Sequence, residues 1–430
     1  MFQLNKNMLL LILVAFSITA FTAPTAMDTK LNDGQEIMIE CDLVKKPEKF
    51  VVFRKLKTSN PIKSTKSKGV HYRLYIPEGY NKSKTKVYPL MFISSPGGGA
   101  SLGAMKSRLA KDGWLVACLQ ESKNGNPDWI NNFCAAYDDI VKRCRVAKGL
   151  KFATGMSGGA RYSSTYALTR PGMRGIFCQA AGFAYGFKKL KYREIYKKYP
   201  THIAVAGSFG TSDSNLYESQ DIRCSLPSKS ARYIGFFKGG HTWCPENTFG
   251  HLMDWMENEV FLRPAPTVKA IKLLTKSAVV EKMNSHSYLW YFDLLVKRLE
   301  AAKSKTEKFH ILEKIMTVAK FGKLSSVSKI TKEFKSLQIM HRKLLGSQEI
   351  QKYKQAKTAY KAVQKSYLLF ELSKKKGDSG GRKIQLSKKE NKLLENLFNS
   401  VEKFSNKFPE SIFLKFENAR VASLRMEYKK

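Results

Sequence analysis

The chain has 430 residues, 43% of them hydrophobic, enough for a large core and two domains. Its 75 Lys and Arg against 35 Asp and Glu give a net charge of +40, which attracts polyanions and anionic surfaces. No zinc-finger spacing, RNA-recognition signature or basic arm beside a heptad zipper accompanies that charge, so specific nucleic-acid binding is not expected. A lysine-biased, solvated surface is the plain alternative, because the excess is spread along the whole chain.

Residues 1–26 read as a secretory signal. Lys6 supplies positive charge, Met8 to Ile18 is apolar, and Ala20, Ala23 and Ala26 offer small residues for cleavage, although Pro24 disfavours a cut directly after Ala23. The apolar run falls short of the roughly 20 residues a span needs, and no second run of that length follows. The expected mature protein is therefore secreted or periplasmic, without a transmembrane segment. Residues 27–69 form a polar, lysine-rich lead-in with a candidate strand at Phe50 to Phe53.

From residue 70 to 262 apolar strands alternate with helices. Strands are predicted at His71 to Ile76, Val87 to Ser94, Trp114 to Leu119, the run ending near Phe152 and Ala153, Ile176 to Phe183, His202 to Gly207 and Ala231 to Phe237. Helices are predicted at Leu102 to Lys111, at Pro127 to Cys144 with Trp129, Phe133, Tyr137 and Ile140 on one face, and at Asn247 to Leu262. This alternation implies βαβ units and a doubly wound, mostly parallel α/β sheet whose site lies at the carboxyl ends of the strands. Arg263-Pro264-Ala265-Pro266 reads as a linker. Residues 263–430 carry about half of the Lys and Arg and show only helical periodicity, so a lysine-rich all-α domain is expected, broken at Gly377 to Gly381.

Lys151 to Thr165 reads strand, sharp turn, helix around Gly155-Met156-Ser157-Gly158-Gly159. A serine at such a corner is strained and exposed, flanking side chains would collide, and the Gly158 N–H at the helix N-terminus can hold an oxyanion. A serine nucleophile needs a base and a carboxylate. His241, in Gly239-Gly240-His241-Thr242-Trp243 after the last strand, is the candidate base; His251 is a weaker rival, and His71 and His202 read as structural. Asp213 follows the penultimate strand and is the candidate acid, with Asp221 the alternative. A second oxyanion N–H is expected from Ser95-Pro96-Gly97-Gly98-Gly99, at Gly98 or Gly97. That loop lacks the Gly-Lys-Ser/Thr of a phosphate loop.

Seven cysteines leave at least one unpaired within the chain, and none has the Cys-x-x-Cys spacing of a structural zinc site. Cys118 and Cys178 read as buried thiols, Cys134 and Cys144 as too far apart to bond, and Cys224 with Cys244 as a candidate disulfide bracing the site.

Residues 71 to 262 resemble the α/β-hydrolase superfamily, in particular its secreted polyhydroxyalkanoate depolymerase-like, feruloyl-esterase-like and acetyl-xylan-esterase-like branch. The residues carrying this are Tyr72-Arg73-Leu74-Tyr75-Ile76-Pro77-Glu78-Gly79-Tyr80, Tyr88-Pro89-Leu90 running into Gly97–Gly99, Gly155 to Gly159, and Gly239 to Trp243. The resemblance implies carboxylic-ester hydrolysis through an acyl-enzyme, with Ser157 as nucleophile, His241 as base and Asp213 as acid, and with no metal or organic cofactor. Pro96 stands where the branch usually has His before Gly. Ala160 after Gly159 departs from the peptidase relatives. The expected partners are an ester substrate, polymeric or not, and an anionic polysaccharide or surface held by the basic helical half. The competing function is an inactive hydrolase fold acting as a binding or scaffold module through that half.

Overall fold

The computed structural model describes residues 31–41, 69–126, 128–183, 199–263, 281–324, 328–373 and 386–428. The signal segment, the strand at Phe50 to Phe53, Pro127, the prolines of the linker and the break at Gly377 to Gly381 lie outside the described residues.

Eight strands form one sheet: β1 (Glu36–Glu40), β2 (His71–Tyr75), β3 (Tyr88–Ser94), β4 (Leu115–Leu119), β5 (Val146–Met156), β6 (Met173–Gln179), β7 (Ala204–Gly210) and β8 (Arg232–Phe237). Their order is β1-β2-β4-β3-β5-β6-β7-β8. β2 runs antiparallel to β1 and β4, and the rest are parallel. That order, with the reversal between β4 and β3, is the sheet of the α/β-hydrolase fold. β3, β4, β6 and β7 are buried at every residue, as expected of strands covered by helices on both faces. Pro89, which cannot donate to a ladder, sits where the β3–β5 register shifts. β1 lies in the lead-in, at a position where the sequence predicts no strand; at the sheet edge it needs to bury only alternate residues, so no apolar run marks it.

The helices are α1 (Lys106–Lys111), α2 (Trp129–Arg143), α3 (Gly158–Tyr166), α4 (Ser219–Ser225) and α5 (Glu246–Phe261), followed by α6 (Ser285–Ala301), α7 (Lys305–Gly322), α8 (Ser328–Leu345), α9 (Gln348–Ser373), α10 (Lys388–Lys407) and α11 (Ile412–Tyr428). Capping boxes open α6, through Asn284 and Ser287, and α10, through Ser387 and Glu390.

The hydrophobic core does not stop at residue 262. Tyr291 of α6 stacks on Phe261 with ring centroids 4.0 Å apart, Trp290 meets Trp114 edge-on at 5.6 Å, and the same core runs on through Leu312 and Leu337. A charged cluster fastens the joint. Glu257 of α5 accepts from Arg298 of α6 at 2.7 Å and from Arg108 of α1 at 3.0 Å, while Arg298 also reaches Asp112 at 2.9 Å. Glu281 accepts from the Gly149 N–H at 2.9 Å and pairs with Lys151 on β5. Farther along, α9, α10 and α11 build a second core around Phe370, Leu397 and Leu424, and α11 places Arg420 between Tyr233 of β8 and Tyr367 of α9.

Candidate active site

β5 ends in a turn that only glycine allows. A β-carbon on Gly155 would lie 2.3 Å from the Gly159 carbonyl carbon, and one on Gly159 would lie 2.2 Å from the Ser94 carbonyl oxygen. These contacts let α3 leave the sheet tightly. They also force Ser157 to φ +54°, ψ −117°, a conformation costing a non-glycine residue about 1–3 kcal/mol. The Ser157 N–H is held by the Gln179 carbonyl on β6 at 2.8 Å.

Two loops at the same carboxyl edge bring the other candidates together. The Ser212 N–H donates to the Gly239 carbonyl at 2.8 Å, and the Thr211 N–H to Phe237 at 2.9 Å. His241 Nδ1 then lies 2.8 Å from Asp213 Oδ1. The Asp213 side chain is fully buried, whereas 35% of the His241 side chain is exposed. Asp213 Oδ1 also accepts from the Asn215 N–H at 2.8 Å, and Oδ2 is buried without a partner among the described residues. Asp221 lies instead in the first turn of α4.

Two other histidines are engaged elsewhere. His71 Nδ1 lies 2.8 Å from Glu121 Oε1, and His310 Nδ1 lies 2.9 Å from the Tyr353 hydroxyl. Burial, with Arg174 adding to it, lowers the His202 pKa to about 4. His251 sits on α5.

The Gly98 amide is not arranged as the sequence reading expected. Its N–H donates to the Ser95 carbonyl at 3.1 Å and closes a turn, while Gly99 donates to Gln120 at 2.8 Å. Among the described residues no hydrogen bond engages the Gly97 N–H, the alternative donor. The Cys224–Cys244 disulfide is likewise not formed. Cys244 is a buried free thiol whose pKa burial pushes up to about 12. Cys118 and Cys178 are buried free thiols, as expected.

Gln179 was not singled out in the sequence, although a polar residue closing an apolar strand at its carboxyl end is a legible signal. It is buried. Its Oε1 accepts from the Cys244 N–H at 3.1 Å, its Nε2 donates to Thr154 Oγ1 at 3.0 Å, and its carbonyl holds Ser157. One residue on β6, through its backbone carbonyl and its side chain, thus ties the serine turn to the loop carrying His241.

No protein-family model matches the sequence, and no curated protein matches it. Among solved structures the chain is similar to dipeptidyl peptidase 4 of Porphyromonas gingivalis (15% identity, TM-score 0.35), a match covering 49% of this chain and 37% of that one. It is similar to a ferulic acid esterase (13% identity, TM-score 0.37), covering 52% and 99% of the two chains. It is also similar to an IroE-like serine hydrolase of Shewanella oneidensis (13% identity, TM-score 0.38), covering 64% and 95%. These likenesses are remote, and the fold assignment rests on strand order and direction.

Proposed function

We propose that this chain is a serine hydrolase that cleaves carboxylic esters through an acyl-enzyme. The observation that carries the reading is the strained Ser157 at the carboxyl end of β5, on the same sheet edge as the Asp213–His241 pair. With Nδ1–H given to Asp213, the His241 imidazole keeps a lone pair on Nε2 for the serine proton. Ser157 Oγ attacks the ester carbonyl as His241 takes that proton. The Gly158 N–H at the start of α3 and the Gly97 N–H stabilise the tetrahedral oxyanion. Collapse breaks the bond to the alcohol, which leaves with the proton from His241. Water then adds by the same route, releasing the acid and regenerating Ser157.

The same reading takes residues 1–26 as an export signal and gives the basic helical half a role in holding the enzyme near an anionic polysaccharide. The test of the chemistry is turnover of a short-chain aryl ester by wild type and Ser157→Ala. Wild type should turn over and the variant should not; equal rates, or none in either, would count against the enzyme reading.

A further inference from the structure

We infer that Asn124 is a side-chain donor to the oxyanion, placed between the Ser157 turn and the loop after β3. The inference rests on Ser157 being the nucleophile. Asn124 lies on the β4–α2 loop, at the carboxyl edge of the sheet. Its backbone N–H donates to the Pro96 carbonyl at 2.8 Å, seating it against the Gly-rich loop. Its side chain lies over Gly158. A β-carbon built on Gly158 would be 1.8 Å from Asn124 Oδ1 and 3.1 Å from Nδ2. No side chain other than hydrogen fits at residue 158 while the Asn124 amide is there.

The amide is oriented as well as placed. The Tyr162 hydroxyl, one turn along α3, lies 3.1 Å from Asn124 Oδ1 and 3.0 Å from the Lys123 carbonyl. Tyr162 is itself stacked on Trp129, with centroids 4.4 Å apart. Tyr162 shares its one hydroxyl proton between the Lys123 carbonyl and Asn124 Oδ1, and Asn124 Nδ2 has two N–H groups with no protein partner among the described residues, on an exposed residue. Meanwhile Gly98 spends its amide on Ser95. A preorganised amide N–H next to the residue after the nucleophile is a source of oxyanion stabilisation that the backbone loop supplies only in part.

The experiment compares Asn124→Asp and Asn124→Ala with wild type and Ser157→Ala on p-nitrophenyl acetate. The aspartate keeps the shape and the acceptor for Tyr162 but loses both donors. If Asn124 donates to the oxyanion, kcat falls about 10²–10³-fold in both variants, KM stays near wild type, and Asp is no better than Ala. Tyr162→Phe, which only loosens the amide, should lose less. An Asp variant near wild-type kcat would overturn the inference and leave Asn124 as a space-filler against Gly158, whatever the Ala variant does. If Ser157→Ala keeps the wild-type rate, the reading of the site fails first, and this inference with it.

Discussion

Asp213 Oδ1 lies 2.8 Å from His241 Nδ1 across 28 residues of sequence, because β7 and β8 are neighbours and their loops are cross-bonded through Ser212 and Gly239. The carboxylate is fully buried and the imidazole a third exposed, so the ring is fixed at its Nδ1 end and still accessible. Asp213→Asn should therefore lower kcat/KM by about 10⁴-fold, the loss typical when the wrong histidine tautomer is favoured. Asp221→Asn should change it little. Steady-state kinetics on one aryl ester checks both, and the reverse pattern would move the role to Asp221.

The shared core predicts that the helices after residue 262 are needed for folding. Truncation after Leu262 would uncover Phe261 and Trp114, which pack on Tyr291 and Trp290. The truncated chain should aggregate or lack a cooperative melt by circular dichroism. A soluble, cooperatively melting fragment would show that the sheet half stands alone.

The cluster at that joint gives a stability test. Arg298→Met leaves the buried Glu257 carboxylate short of a partner and should cost about 3–5 kcal/mol in denaturant unfolding, as breaking one side of a buried pair does. Adding Glu257→Met should recover much of that loss, since the carboxylate left short of a partner is then gone and Arg108 still pairs with Asp112. A single variant within 1 kcal/mol of wild type would mean the cluster is too hydrated to matter.

Acid should destabilise the fold in two stages. His202 is held neutral by burial, with Arg174 adding to it, so its pKa falls from 6.5 to about 4. A depressed folded pKa means stability that is present above pH 6.5 and drains as pH falls towards 4. Burial opposes ionisation of Glu257, but Arg298 and then Arg108 outweigh it and lower its pKa from 4.5 to about 2. Its contribution is present above pH 4.5 and drains towards pH 2. Asp112, in the same cluster, is pushed the other way by burial, against both arginines. The Glu257 direction dominates because both its oxygens accept from Arg298. The melting temperature should start to fall below pH 6.5, and His202→Gln should flatten the first stage alone. A wild-type profile flat from pH 7 to 4.5 would contradict the first assignment.

Much of this was legible in the sequence, for physical reasons that vary by element. β3, β4 and the elbow announced themselves because a strand buried on both faces must be an apolar run, and because Gly155 and Gly159 have backbone where a β-carbon would be. Asp213 was legible only as a position after β7, since the buried contact that distinguishes it from Asp221 is long-range. β1 pairs at an edge and needs no apolar run. Gly98 misled because a glycine suited to an oxyanion loop is equally suited to closing a turn at φ +78°. The joining of α6 to the sheet half was hidden because helical periodicity says which face is buried but not against what.

The basic half should bind polyanions through exposed charge. Lys332, Lys335 and Lys343 are exposed on α8. Full-length protein should be retained on an acidic polysaccharide column, with elution at modest salt, since screening acts within about 8–10 Å at physiological ionic strength. Changing these three to glutamate should advance elution without altering aryl-ester turnover. Unchanged retention would remove the role from this helix.

The central claim is that Ser157 is a nucleophile, and covalent labelling tests it most directly. Wild-type protein treated with a fluorophosphonate should gain one adduct by intact mass, mapped to the peptide containing Ser157, with ester hydrolysis lost in step with labelling. His241→Ala should label far more slowly, because the serine then has no base. Complete labelling elsewhere, or hydrolysis that survives a stoichiometric adduct on Ser157, would contradict it.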